Sequence, residues 1–319
     1  MSTSKVIVIG TATVDFLAVD LPALPDGRGD EFDDRTLVFL PGPPRVTIGG
    51  NGGNTAYVLG RLGIPTRLVS PLGDDLLGRA VVDWLDDAGV VLDRVDPELT
   101  STNYVATTVD GDRGSFFFPV EPDHDALMAL AETTLLLPGD HVHLTGFPHP
   151  SREAMIAWLD AAGEDVTTSL DVGPVLAGFR LDDIRDILPR LTWLLGNDIE
   201  IAALTDGLDT AIAATRSQVH GGVVVKRGRR GATVFTANHD FDLPALAVDV
   251  TATVGAGDTF NGGFVAALMR GRPPRDAAEF AVAVAAVVLE RGRGVVAAPT
   301  MAEIPMQTPV TTNRQGERE

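Results

Sequence analysis

Cysteine is absent from this chain of 319 residues. Disulfide bonds, thiolate metal sites and cysteine nucleophiles are therefore excluded. Lysine is almost as scarce, because it occurs only at Lys5 and Lys226. Neither lysine belongs to a Gly-Lys-Ser/Thr phosphate loop or to the Val-Ala-Ile-Lys strand of protein kinases, so the sequence lacks both of these ATP-binding patterns.

Long apolar runs are also missing from the sequence. No uninterrupted apolar stretch reaches the roughly 18 residues that a membrane-spanning helix needs. The apolar run from Val6 to Ile9 is shorter than the core of a signal peptide. These features predict a soluble protein with a cytoplasmic location.

Basic residues are few relative to acidic ones, with 25 Lys and Arg against 44 Asp and Glu and a formal net charge of −19. Such a field repels the phosphate backbone of nucleic acids and anionic membrane surfaces. We therefore expect no nucleic acid and no membrane as a partner. A nucleotide remains compatible with this charge, because backbone amides, a helix N-terminus and Mg²⁺ act locally.

Apolar runs of strand length alternate along the chain with helix-like segments. The strand-like runs are residues 5–10, 66–71, 141–145, 166–172, 192–195 and 222–226, and the helix-like segments are 54–62, 76–87, 152–162, 199–204 and 209–219. This alternation predicts an α/β fold with a doubly wound, mainly parallel sheet and helices on both faces. We expect one domain that comprises residues 1–319, because α/β folds of this length form single units.

Two segments interrupt this alternation. Residues 14–46 are rich in Pro, Gly and Asp, and residues 100–120 alternate as in a hairpin around Asp110, Gly111 and Asp112. We interpret both as strands of a small β lid over the main domain, and the alternative is that they are surface loops without a function. The polar tail of residues 307–319 is expected to be disordered.

The most informative segment is the glycine-rich turn that opens an apolar helix near residue 255. Gly255 and Gly257 allow close approach of the backbone to a ligand, and the first amides of the helix attract an anion. Asp258 could take the proton of a hydroxyl that attacks a phosphoryl group there. One alternative is that Asp258 caps the helix. A dinucleotide-binding turn is a weaker alternative, because Phe260 stands where its third glycine is needed.

Residues 255–263 and the apolar helix that follows resemble the C-terminal signature of the ribokinase-like (PfkB) family of carbohydrate kinases. The resemblance implies that Gly255, Ala256 and Gly257 form an anion hole for the transferred phosphoryl group. It also implies that Asp258 is the catalytic base, that ATP is the phosphoryl donor and that Mg²⁺ assists.

Two N-terminal segments resemble the sugar-binding parts of the same family. Residues 49–56 are similar to its N-terminal glycine signature, which implies that Gly50, Asn51 and Asn54 contact the substrate. The alternative is a flexible loop with Asn54 as a helix N-cap. Residues 10–15 resemble the family's first strand, which ends in an Asp, and this implies that Asp15 holds sugar hydroxyls. An Asp is also common in turns.

Two later segments resemble the family's nucleotide-binding elements. The Asn-x-x-Glu pattern implies that Asn197 contacts the nucleotide and that Glu200 orders Mg²⁺ through water. The alternative is a helix capping box, which has the same spacing. Residues 223–232 resemble the strand and turn below the nucleotide, which implies contacts from Lys226, Gly228 and Gly231. A β-hairpin with basic surface residues is the alternative there.

Two positions depart from the family pattern. Ala252 stands where the family usually has an Asp that helps to bind a monovalent cation, and Asp249 could replace it only if the loop rearranged. We therefore expect little activation by K⁺. Asn51 stands where ribokinases have Lys, which argues against ribose as the default acceptor.

Together these motifs predict an ATP-dependent kinase that transfers the γ-phosphoryl group to a hydroxyl of a small sugar. One alternative is a nucleoside kinase on the same fold, in which Phe16, Phe39, Phe116 and Phe118 are candidates for the base pocket. The other is a catalytically silent sugar-binding or regulatory protein. The expected partners are a small-molecule sugar or nucleoside and, through the lid, a second copy of the chain.

Overall fold

The computed structural model describes residues 4–25, 37–95, 98–146, 152–173, 180–249 and 254–304. The tail of residues 307–319 and Ala252 lie outside these ranges, as does part of the predicted lid segment 14–46. Among the described helices none is long and apolar enough to cross a membrane.

Strands and helices alternate along most of the described chain. The strands are β1 Val6–Ile9, β2 Thr13–Leu21, β3 Arg45–Gly49, β4 Thr66–Ser70, β5 Val90–Arg94, β6 Ser101–Thr108, β7 Arg113–Phe118, β8 His141–Leu144, β9 Thr167–Asp171, β10 Trp193–Asn197, β11 Gly222–Lys226, β12 Ala232–Phe235 and β13 Asp240–Leu243. The α-helices are α1 Asn51–Arg61, α2 Leu76–Asp87, α3 His124–Thr133, α4 Arg152–Ala162, α5 Leu181–Ile184, α6 Asp198–Ala203, α7 Leu208–Thr215, α8 Ala256–Met269 and α9 Pro274–Arg291.

Nine strands of the described chain form a large sheet in the order β13-β12-β11-β10-β9-β8-β1-β4-β5. Neighbouring strands are parallel from β11 to β5, whereas β12 and β13 are antiparallel additions at one edge. Asp171, Asn197 and Lys226 are the last residues of β9, β10 and β11. Because these strands are parallel, their carboxyl ends meet at one edge, where open α/β sheets bind ligands.

Apolar side chains cover both faces of the large sheet. Val6 and Val8 of β1 belong to one buried cluster, which also contains residues of α1, α8 and α9. Ile7 and Ile9 belong to a second buried cluster on the opposite face, with residues of α3, α4 and α7. Continuous apolar strands of this kind are typical of parallel sheets that are buried on both sides. The predicted doubly wound α/β fold is confirmed.

A separate small sheet contains strands from the two irregular segments, in the order β3-β2-β6-β7. β2 pairs with β3 in antiparallel and with β6 in parallel orientation, and β6 and β7 form an antiparallel hairpin. Successive side chains of each strand point to opposite faces. The small sheet therefore presents one face of polar residues and one of apolar residues, as described below.

Some elements differ from the sequence prediction. The prediction omitted β5, β12, β13, α3 and the short helix α5. Helix α1 begins at Asn51, three residues before the predicted start, because Gly50 takes the N-cap position with φ 74°. Asp15 does not end the first strand, since β1 ends at Ile9 and Asp15 lies on β2. That part of the prediction was wrong.

Candidate active site

Two cavities lie next to each other at the N-terminus of α8. The small cavity, of about 390 Å³, has walls from the small sheet and from the start of α1. The large cavity, of about 920 Å³, lies along the carboxyl ends of β9, β10 and β11. Both volumes fall in the range of small-molecule binding sites, about 300–1,000 Å³.

The residues singled out from the sequence divide between these two cavities. Asp15, Gly50, Asn51 and Asn54 line the small cavity. Asn51, Asn197, Glu200, Lys226, Gly228, Gly231, Ala256 and Gly257 line the large cavity. Gly255 and Asp258 line both. The structure thus brings Asp258 to the boundary between the two spaces.

Asp258 is the third residue of α8, and its side chain does not cap the helix. The N-cap is Gly255, with φ 77° and no side-chain hydrogen bond to the cap. A side chain at residue 255 would also clash, since its Cβ would lie 2.7 Å from Val295 Cγ1. Asp258 Oδ2 instead accepts a hydrogen bond of 2.8 Å from Asn54 Nδ2. The helix-cap alternative for Asp258 is therefore wrong.

The surroundings of Asp258 move its pKa from the usual range of a carboxyl group to near neutral pH. The pKa of Asp258 is raised to about 8. Burial is the main cause and the Asp171 carboxylate adds to it, whereas the hydrogen bond from Asn54 and the charge of Lys226 act in the opposite direction. A group with a pKa near the working pH can both accept and release a proton efficiently. Perturbed carboxyls in cavities are also typical of functional sites.

Lys226 forms a buried ion pair at the floor of the large cavity. Its Nζ donates to Asp171 Oδ1 at 2.8 Å and to Asn261 Oδ1 at 3.1 Å. The side chains are 12% exposed for Lys226 and 2% for Asp171. Asp171 and Asn261 were not among the site residues predicted from the sequence. Asp171 could have been found, because an Asp at the carboxyl end of a buried parallel strand lies at the ligand-binding edge.

Asn197 and Glu200 form the capping box that the sequence analysis gave as an alternative. Asn197 Oδ1 accepts from the Glu200 amide at 2.9 Å, and Glu200 Oε2 accepts from the Asn197 amide at 2.8 Å. Burial and the Asp171 carboxylate raise the pKa of Glu200. Among the described residues no three His, Asp or Glu side chains are placed to hold a metal ion together. Cap formation occupies Oε2 alone, so it is compatible with a second role for this carboxylate.

Asp15 is buried on β2, at the wall of the small cavity. Its Oδ1 accepts a hydrogen bond of 2.7 Å from Thr13 Oγ1. The pKa of Asp15 is raised to about 6, because the effect of burial outweighs the opposite effects of Thr13, Arg113 and Asn103. The carboxylate fits only because residue 49 is Gly, since a Cβ there would lie 2.0 Å from Asp15 Oδ1.

The polar face of the small sheet lines the small cavity with side chains that the sequence analysis did not select. They are Asn103 on β6 and Arg113, Ser115 and Phe117 on β7. The alternating positions of the three β7 residues could have indicated this from the sequence, since i, i+2 and i+4 share one face of a strand.

Phe116 and Phe118 lie on the opposite face, away from this cavity, where they are largely exposed. The suggestion that they line a base pocket was therefore wrong. Phe16 stacks on Tyr104 at 4.8 Å between ring centroids, also on the apolar face. Phe39 is exposed and does not line the small cavity either.

Comparison with known proteins identifies the family. Residues 4–301 match the model of the pfkB family carbohydrate kinases. The chain belongs to this family. Because the match spans nearly the whole chain, this ATP-dependent carbohydrate kinase is a phosphotransferase with an alcohol group as acceptor. The predicted family and reaction class are confirmed.

The PfkB chain is similar to several characterised and uncharacterised kinases. It is 29% identical to the uncharacterized sugar kinase YegV of Escherichia coli, over 94% of this chain and 92% of that protein. It is 31% identical to the ATP-dependent ribose-1-phosphate kinase of Halopiger xanaduensis, over 80% of this chain and 84% of that protein. The crystal structure of Methanocaldococcus jannaschii nucleoside kinase matches with a TM-score of 0.78 and 20% identity, over 95% of this chain and 98% of that one. At this identity the structural match shows the fold alone.

Proposed function

We propose that the small cavity binds the sugar acceptor, that the large cavity binds ATP and that Asp258 is the base between them. The observation that supports this most strongly is the position of Asp258, which lines both cavities at the N-terminus of α8. In-line phosphoryl transfer needs the attacking acceptor oxygen and the leaving oxygen of ADP on opposite sides of the γ-phosphorus, so the acceptor and the nucleotide must meet at one such boundary.

The base would act through Oδ1, because Asn54 already donates to Oδ2. The acceptor oxygen forms a bond to the γ-phosphorus while the bond from this phosphorus to the bridging oxygen of ADP breaks. The hydroxyl proton passes to Asp258. We infer that the backbone amides of Gly255, Ala256 and Gly257, at the start of α8, stabilise the charge on the phosphoryl oxygens.

Acceptor binding falls to Asp15, Gly50, Asn51 and Asn54 in this proposal. Asn54 Oδ1 is buried and has no hydrogen-bond partner among the described residues. Buried polar atoms usually have a partner, so this oxygen is suited to accept from an acceptor hydroxyl. Asp15 is acceptor-only when ionised and can hold two neighbouring hydroxyls.

Nucleotide binding falls to Asn197, Lys226, Gly228 and Gly231, all of which line the large cavity. Lys226 differs from the expectation in one respect, since its Nζ is held by Asp171 and Asn261. We infer that it neutralises this buried carboxylate beside the phosphates as well as facing the nucleotide. Gly228 has open space beside its α-carbon, which leaves backbone accessible to the nucleotide. Gly231 instead packs against Leu243 and Ala245 with φ 85°, so it fixes the shape of the turn.

The residues around Glu200 fit Mg²⁺ bound through water. The pKa values of Glu200 and Asp258 are both raised by burial and by the Asp171 carboxylate, and Lys226 is their shared counter-charge. Such an excess of carboxylates favours a cation, and Mg²⁺ usually keeps several waters. When bound, Mg²⁺ would neutralise charge on the ATP phosphates. Glu200, and not a cluster of direct ligands, would orient its waters.

The acceptor class that the small cavity favours is a small sugar. Its wall offers Asp15, Asn54 and Asn103 as hydrogen-bonding groups for hydroxyls. A nucleoside is the second candidate, because Phe117 provides one aromatic surface in the same wall. ATP consumption with pentoses, hexoses, sugar phosphates and nucleosides tests the proposal, and no phosphoryl transfer to any of them would contradict it.

Two further proposals concern assembly and cations. A homodimer through the small sheet is supported by its apolar face, where Tyr104 is 49%, Phe116 75% and Phe118 49% exposed. A Phe116→Ser/Phe118→Ser variant should then be monomeric in light scattering, whereas an unchanged mass would contradict the dimer.

Little activation by K⁺ stays a prediction, since Ala252 lies outside the described residues.

A further inference from the structure

Arg113, the first residue of β7, lines both cavities. The other residues that do so are Asn51, Val254, Gly255 and Asp258. This shared boundary contains the proposed base and the N-terminus of α8. A side chain of the small sheet therefore faces the space through which a phosphoryl group would pass from nucleotide to acceptor.

The charge balance at this boundary is unfavourable for a phosphoryl group without Arg113. Asp171, Glu200 and Asp258 all interact with one buried cation, Lys226, and that cation is already paired with Asp171 at 2.8 Å. Arg229 also lines the large cavity, but it does not line the boundary that the two cavities share. Arg113 is the sole cation among the described residues that line the small cavity. Like-charge repulsion between Asp258 and the phosphoryl oxygens must be offset locally for transfer to proceed.

The guanidinium of Arg113 is available for such a contact. It has no hydrogen bond or ion pair with any described residue, and it is exposed at the cavity wall. Its charge reaches Asp15, whose pKa it lowers. A guanidinium is a planar fork that binds two phosphoryl oxygens at once, which a lysine ammonium cannot do.

We propose that Arg113 is a catalytic residue that binds the non-bridging oxygens of the γ-phosphoryl group during its transfer. The proposal rests on the function proposed above. The bonds that form and break at phosphorus are those already described, and the hydroxyl proton goes to Asp258. Arg113 keeps its protons and supplies charge and hydrogen bonds only.

The first test measures kcat and KM for Arg113→Ala and Arg113→Lys. Removal of one transition-state donor commonly costs a factor of about 10²–10³ in kcat. We expect the kcat of Arg113→Ala to fall about a hundredfold or more, with little change in the KM for ATP. The kcat of Arg113→Lys should lie between those of Arg113→Ala and the wild type. The loss should be similar for an uncharged sugar and a sugar phosphate. Arg185→Ala, which removes an exposed arginine paired with Asp182, is the control.

A second test measures the contact between Arg113 and the phosphoryl group without substrate turnover. ADP with Mg²⁺ and aluminium fluoride imitates the phosphoryl group in transfer, and its binding can be compared with binding of ADP alone. Arg113→Ala should weaken the binding of ADP with aluminium fluoride at least tenfold and leave the binding of ADP alone unchanged. Added guanidinium should restore part of the activity of Arg113→Ala, an effect that a purely structural defect would not show.

Three outcomes would overturn the assignment. One is an unchanged kcat in Arg113→Ala. The second is a loss confined to the KM of phosphorylated acceptors, which would make Arg113 a site for an acceptor anion. The third is equal weakening of ADP with and without aluminium fluoride. Failure of the wild-type enzyme to phosphorylate any acceptor would instead contradict the proposed function.

Discussion

Asn54 and Asp258 are 204 residues apart in the chain, yet Asn54 Nδ2 donates a 2.8 Å hydrogen bond to Asp258 Oδ2. The bond joins α1 to α8 across the wall that the two cavities share. It fixes the carboxylate so that Oδ1 is the oxygen left for an acceptor hydroxyl. Since Asn54 Oδ1 is buried without a partner among the described residues, one amide can orient both the base and the acceptor.

Replacement of the base should abolish most turnover. Asp258→Asn keeps the size of the side chain but cannot accept the hydroxyl proton, so kcat should fall by about two to four orders of magnitude, the scale of lost general base catalysis. ADP affinity, measured by calorimetry, should stay near the wild-type value. Asp83→Asn on the exposed face of α2 is the control. A kcat within threefold of wild type would remove Asp258 from the mechanism.

The pH dependence should report the raised pKa of Asp258. A base must be deprotonated, so kcat/KM for the acceptor should rise with pH with a midpoint near pH 8 and level off about one pH unit above it. Asn54→Leu removes a hydrogen bond that favours the carboxylate, and this should raise the pKa of Asp258 and move the midpoint to higher pH. Rates across pH 6–10 give the midpoint independently of any loss of acceptor affinity.

Asn103→Leu is the matched control for that experiment. Asn103 also lines the small cavity, but it is not among the groups that shift the pKa of Asp258. Its variant should change KM and leave the midpoint in place. If Asn54→Leu and Asn103→Leu gave the same midpoint, the hydrogen bond would have no influence on the base.

Much of this site could be predicted from short sequence motifs, because each motif is a backbone feature with a local cause. Gly255 takes a left-handed conformation that starts α8, and Asn197 and Glu200 satisfy each other's backbone amides. Such features depend on neighbours within a few residues. The strand-like runs were predictable for the same reason, since a parallel sheet buried on both faces needs continuous apolar segments.

The remaining features depend on contacts between distant segments. Nothing local indicates that Lys226 pairs with Asp171, 55 residues before it, or that Asn54 contacts Asp258. The assignment of Phe116 and Phe118 failed for a related reason. Alternation predicts two faces of a strand, but which face meets the cavity is decided by how the small sheet packs. Phe117 shares the cavity face with Arg113.

Magnesium dependence should separate the two roles considered for Glu200. Glu200→Gln retains a carbonyl oxygen that can accept from the Asn197 amide, so the capping box can persist. The loss of charge should nevertheless raise the Mg²⁺ concentration for half-maximal rate, by about tenfold or more, if this carboxylate orients the waters of the ion. Initial rates at fixed ATP and varied Mg²⁺ measure this.

The chain offers a control with the same local geometry. Glu303 forms another capping box, in which Oε2 accepts from the Thr300 amide at 2.7 Å, and it does not line the large cavity. Glu303→Gln should leave the Mg²⁺ dependence unchanged. Equal behaviour of Glu200→Gln and Glu303→Gln would leave Glu200 with a capping role only.

Two histidines buried beneath the site should influence stability in acid. His141 Nε2 and His143 Nδ1 both lie 2.7 Å from Ser169 Oγ. Burial lowers the pKa of each histidine to about 3, with a smaller contribution from His143 for His141 and from Lys226 for His143. In the unfolded chain their pKa returns to about 6.5. Both histidines are therefore neutral in the folded protein at pH values where the unfolded chain is protonated.

The sign of the effect follows from proton binding. Between about pH 6.5 and 3 the unfolded state binds more protons at these histidines, so they make the free energy of unfolding fall as the pH falls. Asp258 and Asp15 act in the opposite direction, because their pKa values in the folded state, about 8 and about 6, lie above those of unfolded carboxyls. The two effects partly cancel in the wild-type protein, so the histidine contribution must be measured as a difference between variants.

His143→Gln should therefore be less stable than wild type at pH 7, because it disturbs the bond to Ser169, but lose less stability on acidification. One depressed histidine contributes about 1.4 kcal/mol per pH unit within its window. Urea unfolding at pH 7, 6, 5 and 4 should show the two stability curves converging by about this amount per unit below pH 6. His239→Gln, at an exposed position, should run parallel to wild type. Parallel curves for His143→Gln as well would mean that burial does not hold His143 neutral in the folded protein.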